Sequence, residues 1–419
     1  MSLDVHLYGE RVGTLAPVGR DREYELAYSE RALKRYGRGV ALLSMSLPTS
    51  EEPFSPGASR AYVEGLLPEG ARRLRLASEL AVDPDDGYAL IAALGRDCIG
   101  AVCFLPPAEP PPCPNGKPPS WASEEELEEL VAAPPSRFLD PARPRRMRAV
   151  LPGDRHKLAL ARPRPGEGWS WPDADLPSTH IVKPETGEHP EMVVNEMFCT
   201  SVLAEAGLLV APTAIETIAG RPCLVSERFD RVVGAGEIGR LHQESFCQAL
   251  SFAPDAGPES DDACGPAFAE AAGLLRAAGE ERRVLDLVVV ALCNYILGNG
   301  DCHGQNLALM LTPTGALLAP FYDIVSTAVY DDPTYVGMVV ADDYDETAYL
   351  LELAEICEEA NIDFEHCRKI AAGVSTRMGE ALEAVVERSR REGWHAPVID
   401  GIVELAGERA VNLGYEVQY

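Results

Sequence analysis

The stretch from Val284 to Leu297 is apolar apart from Asp286 and Asn294, and it stops at Gly298-Asn299-Gly300, a turn-forming cluster that breaks a helix. A carboxylate (Asp301), an imidazole (His303) and an amide (Asn306) follow within one short loop. The segment Leu307-Ala-Leu-Met310 then carries the chain away to a second carboxylate, Asp323, set among Phe321, Tyr322, Ile324 and Val325. The rest of the chain is organised around this stretch.

Those residue types meet the needs of phosphoryl transfer. A phosphoryl group in flight needs charge neutralisation more than covalent help, so a protein must hold Mg²⁺ with hard oxygen donors, and Asn306 with Asp323 supply an amide oxygen and a carboxylate. The attacking hydroxyl needs a carboxylate to orient it and accept its proton, and Asp301 is the candidate. Asp301 and Asn306 have the spacing of the base and the metal-binding amide in a protein-kinase catalytic loop, and Asp323 stands where such an enzyme places its second metal ligand. The bland reading, in which Asp and Asn after glycines are turn residues, accounts for either one alone but poorly for the set.

At 419 residues and 46% hydrophobic content the chain is long enough for two or three packed domains. Its net charge of −29 argues against direct nucleic-acid binding, which needs a positive surface. No long uncharged apolar run and no signal-peptide pattern is present, so the expectation is a cytoplasmic protein without a membrane span. The 11 cysteines show no Cys-x-x-Cys and no paired Cys/His spacing, which predicts reduced, mostly buried thiols. Cys302, beside Asp301, is expected to be filler, because the neighbouring charge raises a thiol pKa.

Taken in order, Asp4 to Leu15 predicts a hairpin joined at Gly9-Glu10, followed by a strand near 24–28, helices over 71–81 and 85–93, and a strand reaching Phe104. Proline-rich 106–119 marks a boundary, Ser123 with its following acids starts a helix, and Arg143 to Arg148 form a short basic patch. Pro152-Gly153-Asp154-Arg155-His156-Lys157 reads as a tight loop feeding a strand, a place where backbone N–H groups meet phosphates. Thr179 to Lys183 predicts a strand that ends in a lysine suited to the α/β-phosphates, and an amphipathic helix from Asn195 to Gly207 carries Glu196, a partner for that lysine. Cys223 to Arg231 reads as a strand leaving this lobe where a hinge would meet adenine. Packed helices are expected over 346–359 and 367–390.

With these parts in this order, the chain resembles the HipA family of bacterial serine/threonine-protein kinases, the toxin component of HipAB-type toxin–antitoxin modules. The resemblance is carried by Gly95-Arg-Asp-Cys-Ile-Gly-Ala-Val102, Thr179-His-Ile-Val-Lys-Pro184, Asn195-Glu196, Glu227-Arg-Phe-Asp-Arg231, Arg240-Leu-His-Gln-Glu244 with Cys247-Gln248, Gly300-Asp-Cys-His-Gly-Gln-Asn306 and Phe321-Tyr-Asp-Ile324. It implies an α+β, two-lobed protein-kinase-like fold, with an N-terminal subdomain over 1–105, a linker and helix over 106–142, an N-lobe over 143–231 and a helical C-lobe over 232–419. It implies ATP and Mg²⁺ as cofactors, with Gly153, Asp154, Arg155, His156, Lys157 and Lys183 toward the phosphates. Glu227, Arg228 and Phe229 would frame the adenine, and His303, Gly304, Gln305, Asn306, Tyr322 and Asp323 would line the nucleotide site. By the same resemblance Asp301 is the base, a HipB-like DNA-binding antitoxin is the partner, and the substrate is a translation-related protein such as an aminoacyl-tRNA synthetase. A small-molecule kinase of the same fold, or a catalytically idle antitoxin-binding corepressor, are the alternatives.

One departure matters. The family's toxin carries a serine just before the loop glycine, whose autophosphorylation shuts the kinase off, whereas this chain has Pro152 there and Asp154 after the glycine. Proline has no hydroxyl to modify. Incubated with Mg²⁺ and ATP, the purified protein is expected to gain no phosphate between Val150 and Lys157 and to keep its activity over time. Peptide mapping by mass spectrometry beside a timed assay checks this, and inactivation that tracks phosphate on another residue would overturn it.

Overall fold

Tyr8 and Gly9 both hold left-handed φ angles, 51° and 79°, the backbone that a tight two-residue hairpin link requires. In the computed structural model, which describes residues 2–19, 22–107, 109–110, 118–132, 151–153, 155–164, 166–172, 176–187, 189–234, 237–252, 266, 268–313, 315–330, 357 and 361–416, this link joins β1 (Leu3–Leu7) to β2 (Glu10–Val18). Next come β3 (Glu23–Tyr28), α1 (Glu30–Tyr36), α2 (Pro56–Glu64), α3 (Gly70–Leu80), α4 (Gly87–Leu94) and β4 (Val102–Leu105). The strands form an antiparallel sheet in the order β3-β2-β1-β4. Leu7, Leu15, Leu26, Leu43, Leu47, Tyr62, Leu66 and Phe104 fill the core beneath it. Apolar spacing does not reveal α1 and α2; their caps do, with the Ser29 and Ser55 hydroxyls accepting from the N–H groups of Ala32 and Ala58.

The next elements are β5 (Ser120–Trp121), α5 (Glu124–Ala132), β6 (Leu158–Leu160), β7 (Ser170–Trp171), β8 (His180–Pro184), α6 (Met192–Glu205), β9 (Thr213–Ile218) and β10 (Arg221–Glu227). A second sheet runs β6-β8-β10-β9. The start of α5 is a capping box: Ser123 Oγ accepts from Glu126 N at 3.1 Å, and Glu126 Oε2 accepts from Ser123 N at 2.9 Å. The basic patch at 143–148 lies outside the described residues.

Then follow β11 (Arg231–Val233), β12 (Ile238–Arg240), β13 (Gln243–Ser245) and α7 (Phe246–Leu250). This segment is knitted into the N-terminal sheet layer. His242 Nε2 lies 2.8 Å from Leu43 O, Met45 N donates to Glu244 Oε1 at 2.9 Å, and Gln248 Nε2 donates to Tyr62 O at 2.8 Å. The compact units follow accordingly: Met1–Pro184, Glu216–Gly257 and Leu309–Thr312 form one, and Glu185–Ile215, Pro258–Ala308 and Pro313–Tyr419 form the other. The boundary expected at 231/232 thus falls inside the first unit, because residues 240–248 bond to residues 43–62.

The remaining elements are α8 (Phe268–Ala277), α9 (Glu281–Leu297), β14 (Ala308–Thr312), β15 (Gly315–Leu318), α10 (Phe364–Glu392) and α11 (Pro397–Glu416). The second unit is mostly helical, with α6 packed against α10 and α11. Where the sequence predicts an amphipathic α6, the helix is buried nearly all round, Asn195, Glu196, Phe198, Cys199 and Leu203 included. Of the two helices expected near the C-terminus, 367–390 lies within α10, whereas 346–359 falls, Cys357 apart, outside the described residues. The class is α+β. The described cysteines are all buried and unpaired, and no described helix is long and apolar enough to cross a membrane.

Glu244 sits fully buried in the first unit, and burial pushes its carboxyl up from 4.5 to about 8. The folded state therefore keeps a proton that the unfolded chain releases, so this group's stabilising contribution is full below about pH 4.5 and is lost as pH rises toward 8. His242, pushed down to about 4 by burial, acts in the opposite sense below about pH 6.5. Glu244→Gln is expected to flatten the fall in thermal stability between about pH 5 and 8. Melting curves across that range check it, and an unchanged slope would refute the protonated carboxyl.

Candidate active site

The catalytic loop begins where α9 is forced to stop. Gly298 adopts φ 69°, and a Cβ there would lie 2.6 Å from Leu405 Cδ2 and 2.9 Å from Ala328 Cβ, so both conformation and space demand glycine. Its carbonyl accepts from Thr327 N at 2.9 Å and Ala328 N at 3.1 Å, and Thr327 Oγ1 accepts from Gly300 N at 2.9 Å. The loop that carries Asp301 is thereby tied to the segment that follows Asp323.

Within the loop, Asp301 O accepts from His303 N at 3.0 Å and from Asn306 Nδ2 at 2.6 Å. With its NH₂ committed to that carbonyl, the Asn306 amide presents its oxygen as the remaining acceptor. His303 Nε2 lies 3.4 Å from Asp301 Oδ1, and the two side chains are 35% and 31% exposed, accessible enough to meet a substrate. Tyr322 OH donates to Gln305 O at 2.9 Å, which bonds the loop to the Asp323 segment a second time. Asp323 itself holds φ 57°, a left-handed conformation uncommon for a residue with a Cβ and one that clusters at functional sites. Burial, with the Asp301 charge adding to it, pushes the Cys302 thiol up to about 12, which leaves it a protonated filler.

Sequence reasoning assigned no role to Asn195 or Thr327. The Asn195 side chain clamps the main chain of Ser326, Nδ2 donating to Ser326 O at 2.9 Å and Oδ1 accepting from Ser326 N at 2.9 Å, and it also reaches Tyr330 OH at 3.1 Å. A buried amide opposite a Tyr-Asp-Ile-Val-Ser segment is legible only once the fold is known.

The other candidates, Glu196 apart, lie in the first unit. Gly153 holds φ 84°, its N–H is taken by Glu69 Oε1 at 3.1 Å, and Lys157 Nζ lies 3.0 Å from where a Cβ would stand. Arg72 donates to Leu151 O at 2.6 Å, so the loop is moored to the start of α3. Asp154 lies outside the described residues. Burial holds the His156 imidazole below its ordinary value, with Nε2 3.4 Å from Leu130 O. Lys183 stands half-buried near the end of β8, paired with Leu224 of β10, while Glu196 belongs to the second unit.

Arg228 has a different environment from its two neighbours. Glu227 is exposed at the end of β10 and Phe229 is half-buried, but the Arg228 guanidinium is buried and donates to Asp230 Oδ1 (2.9 Å), Asp230 Oδ2 (2.8 Å), Ser178 Oγ (2.7 Å) and Cys98 O (3.2 Å). Asp97 pairs with Arg231 at 3.1 Å and with Arg240 at 2.8 Å in the same cluster. Burial by itself raises Asp97 and Asp230, yet the surrounding guanidiniums hold both carboxyls well below the usual range. Burial and the neighbouring Arg228 lower Arg231 to about 10. Among the described residues no group of three or more His, Cys, Asp or Glu could hold a metal ion.

Asp301 and Asn306 share one loop and Asp323 lies on the segment bonded to it, in a chain whose fold and relatives are those of a serine/threonine kinase of protein-kinase-like fold. The HipA-like C-terminal domain matches residues 149–391 and the HipA N-terminal domain matches residues 3–105. "Putative kinase Y4mE" of Sinorhizobium fredii is 37% identical over 320 residues, covering 75% of this chain and 74% of that protein. The "Serine/threonine-protein kinase toxin HipA" of Shewanella oneidensis is 27% identical over 403 residues, covering 92% and 89%. A solved structure of a Shewanella oneidensis toxin–antitoxin complex of HipA, HipB and operator DNA superposes with a TM-score of 0.79 at 24% identity, over 99% of this chain and 96% of that one. The chain belongs to the HipA family.

Asn195→Ala is expected to leave two buried main-chain groups of Ser326 without partners and to cost about 2 kcal/mol or more. Chemical denaturation measures it. A loss below about 0.5 kcal/mol would mean that Ser326 finds other partners.

Proposed function

We propose that this kinase transfers the γ-phosphoryl group of ATP, with Mg²⁺, to a serine or threonine of a translation-related protein such as an aminoacyl-tRNA synthetase. We also propose that it does so in the cytoplasm as the toxin of a toxin–antitoxin pair restrained by a HipB-like DNA-binding antitoxin. The observation that carries this reading is the loop geometry in which one main-chain carbonyl, Asp301 O, fixes Asn306 while the Asp301 carboxylate stays partly exposed. The name of the Shewanella relative supports the toxin reading, and its complex with HipB and operator DNA supports the partner.

Mg²⁺, when bound, neutralises phosphate charge, and Asn306 Oδ1 with the Asp323 carboxylate are the oxygens that would hold it. Asp301 orients the acceptor hydroxyl and takes its proton as the new P–O bond forms and the bond to the leaving diphosphate breaks. His303, beside the Asp301 carboxylate, limits the directions that carboxylate can take. Gly304, Gln305 and Tyr322 hold the loop wall on the nucleotide side. In the first unit, Gly153, Arg155, His156, Lys157 and Lys183 would meet the phosphates. Glu227 and Phe229 would frame the adenine, and the buried Arg228 would hold that strand end in place. The acidic chain leaves DNA contact to the partner.

Asp301→Gln is expected to lower transfer by at least about 10²-fold with ATP binding retained, whereas Asp323→Asn should lower both transfer and Mg²⁺-dependent nucleotide binding. Phosphoproteomics of cells that express the wild-type chain against Asp301→Gln identifies the acceptor. Full transfer by either variant would sink the site, and label on a metabolite rather than a protein would sink the substrate class.

A further inference from the structure

Two buried asparagines, one on the last turn of α9 and one in the loop before the base, are not used by the function above. Asn294, on the last turn of α9, donates from Nδ2 to Val290 O at 3.0 Å and to Cys302 Sγ at 3.0 Å. Its Oδ1 accepts from Asn299 Nδ2 at 2.7 Å, and Asn299 Oδ1 in turn accepts from Asp301 N at 3.1 Å. Asn294 and Asn299 are only 5% and 7% exposed, so water offers these groups little alternative. Each amide donates at nitrogen and accepts at oxygen in one consistent direction. The side chains therefore continue the N–H···O=C series of α9 past the break at Gly298, and aligned hydrogen bonds of this kind polarise one another. The result is that both main-chain groups of Asp301 are held, N–H by Asn299 and C=O by His303 and Asn306.

We propose that Asn299, steadied by Asn294, is a positioning residue for the Asp301 carboxylate: the two-amide relay fixes the main chain from which the base projects. This rests on the reading of Asp301 as the base. Neither asparagine is among the residues assigned above to metal or nucleotide, so the relay is expected to act on the chemical step. A displacement of about 1 Å in a catalytic group costs about 10²-fold, which sets the scale.

The test measures kinetics, nucleotide binding and amide hydrogen exchange on the full chain, using Asn299→Ala, Asn294→Ala, the double variant and Asp301→Gln. Asn299→Ala is expected to lower kcat about 10- to 100-fold, to leave KM for ATP and the affinity for a non-hydrolysable ATP analogue within about twofold, and to speed exchange at the Asp301 amide while the amides of α9 stay protected. Asn294→Ala is expected to act in the same direction and less strongly, and the double variant to be no worse than Asn299→Ala, because the two act in series. Should Asn299→Ala not fold, the same readings on Asn294→Ala decide. A kcat within twofold of wild type, unchanged protection at the Asp301 amide, or a parallel fall in kcat and nucleotide affinity would each overturn the relay. An active Asp301→Gln beside a fast-exchanging Asp301 amide in Asn299→Ala would instead overturn the base assignment and uphold the relay.

Discussion

Five charged side chains in the first unit, Arg228, Arg231, Arg240, Asp97 and Asp230, are removed almost entirely from water. Charges so placed are tolerated only when each finds partners, because desolvating an ion costs several kcal/mol. Three guanidiniums face two carboxylates, and main-chain carbonyls help to accommodate the surplus: Cys98 O accepts from Arg228 and Arg231, and Gly100 O accepts from Arg231 at 2.9 Å. The carboxylates are matched from the other side by Ser178, Gly100 N and Gln243. This cluster draws residues 97–100, 178 and 228–243 to one place, and the position of β10 and the strand end that follows it depends on the match. It also explains why residues 3–105, which match one domain family, share a compact unit with residues up to 184 and from 216 to 257 of the segment that matches another.

The second unit solves a different problem. A polar loop must stand at the end of a buried helix without leaving main-chain groups unpaired. Gly298 turns the chain, Thr327 receives the Gly300 N–H, and Asn195 closes both main-chain groups of Ser326. Each device meets a donor or acceptor that burial would otherwise strand. The Asp301 and His303 side chains stay partly exposed while main-chain groups of Gly298, Gly300, Asp301 and Ser326 are bonded.

Much of this was legible in the sequence wherever the signal was local. The hairpin, expected at Gly9-Glu10 and turning one residue earlier at Tyr8-Gly9, the capping serine Ser123, the α9 stop at Gly298 and the spacing from Asp301 to Asn306 each depend on a few neighbouring residues. What sequence reading missed depends on distant partners. Arg228 looks like its neighbours Glu227 and Phe229 until Ser178 and Cys98, far earlier in the chain, are seen accepting from its guanidinium. Residues 240–248 read as part of a helical lobe until His242, Glu244 and Gln248 are seen bonding to residues 43–62. The burial of α6 has the same origin, since α10 and α11, far along the chain, pack against it.

The mooring of Gly153 has a bearing on affinity. Its N–H already has an anionic partner in the Glu69 carboxylate, which belongs to the same polypeptide and never diffuses away. A phosphate that sought this donor would meet a tethered competitor at high local concentration, so its net gain would be the difference between two charge-assisted hydrogen bonds rather than the whole of one. For a phosphate at this donor, such an arrangement would act as a threshold that favours a ligand bringing several charges and further contacts at once.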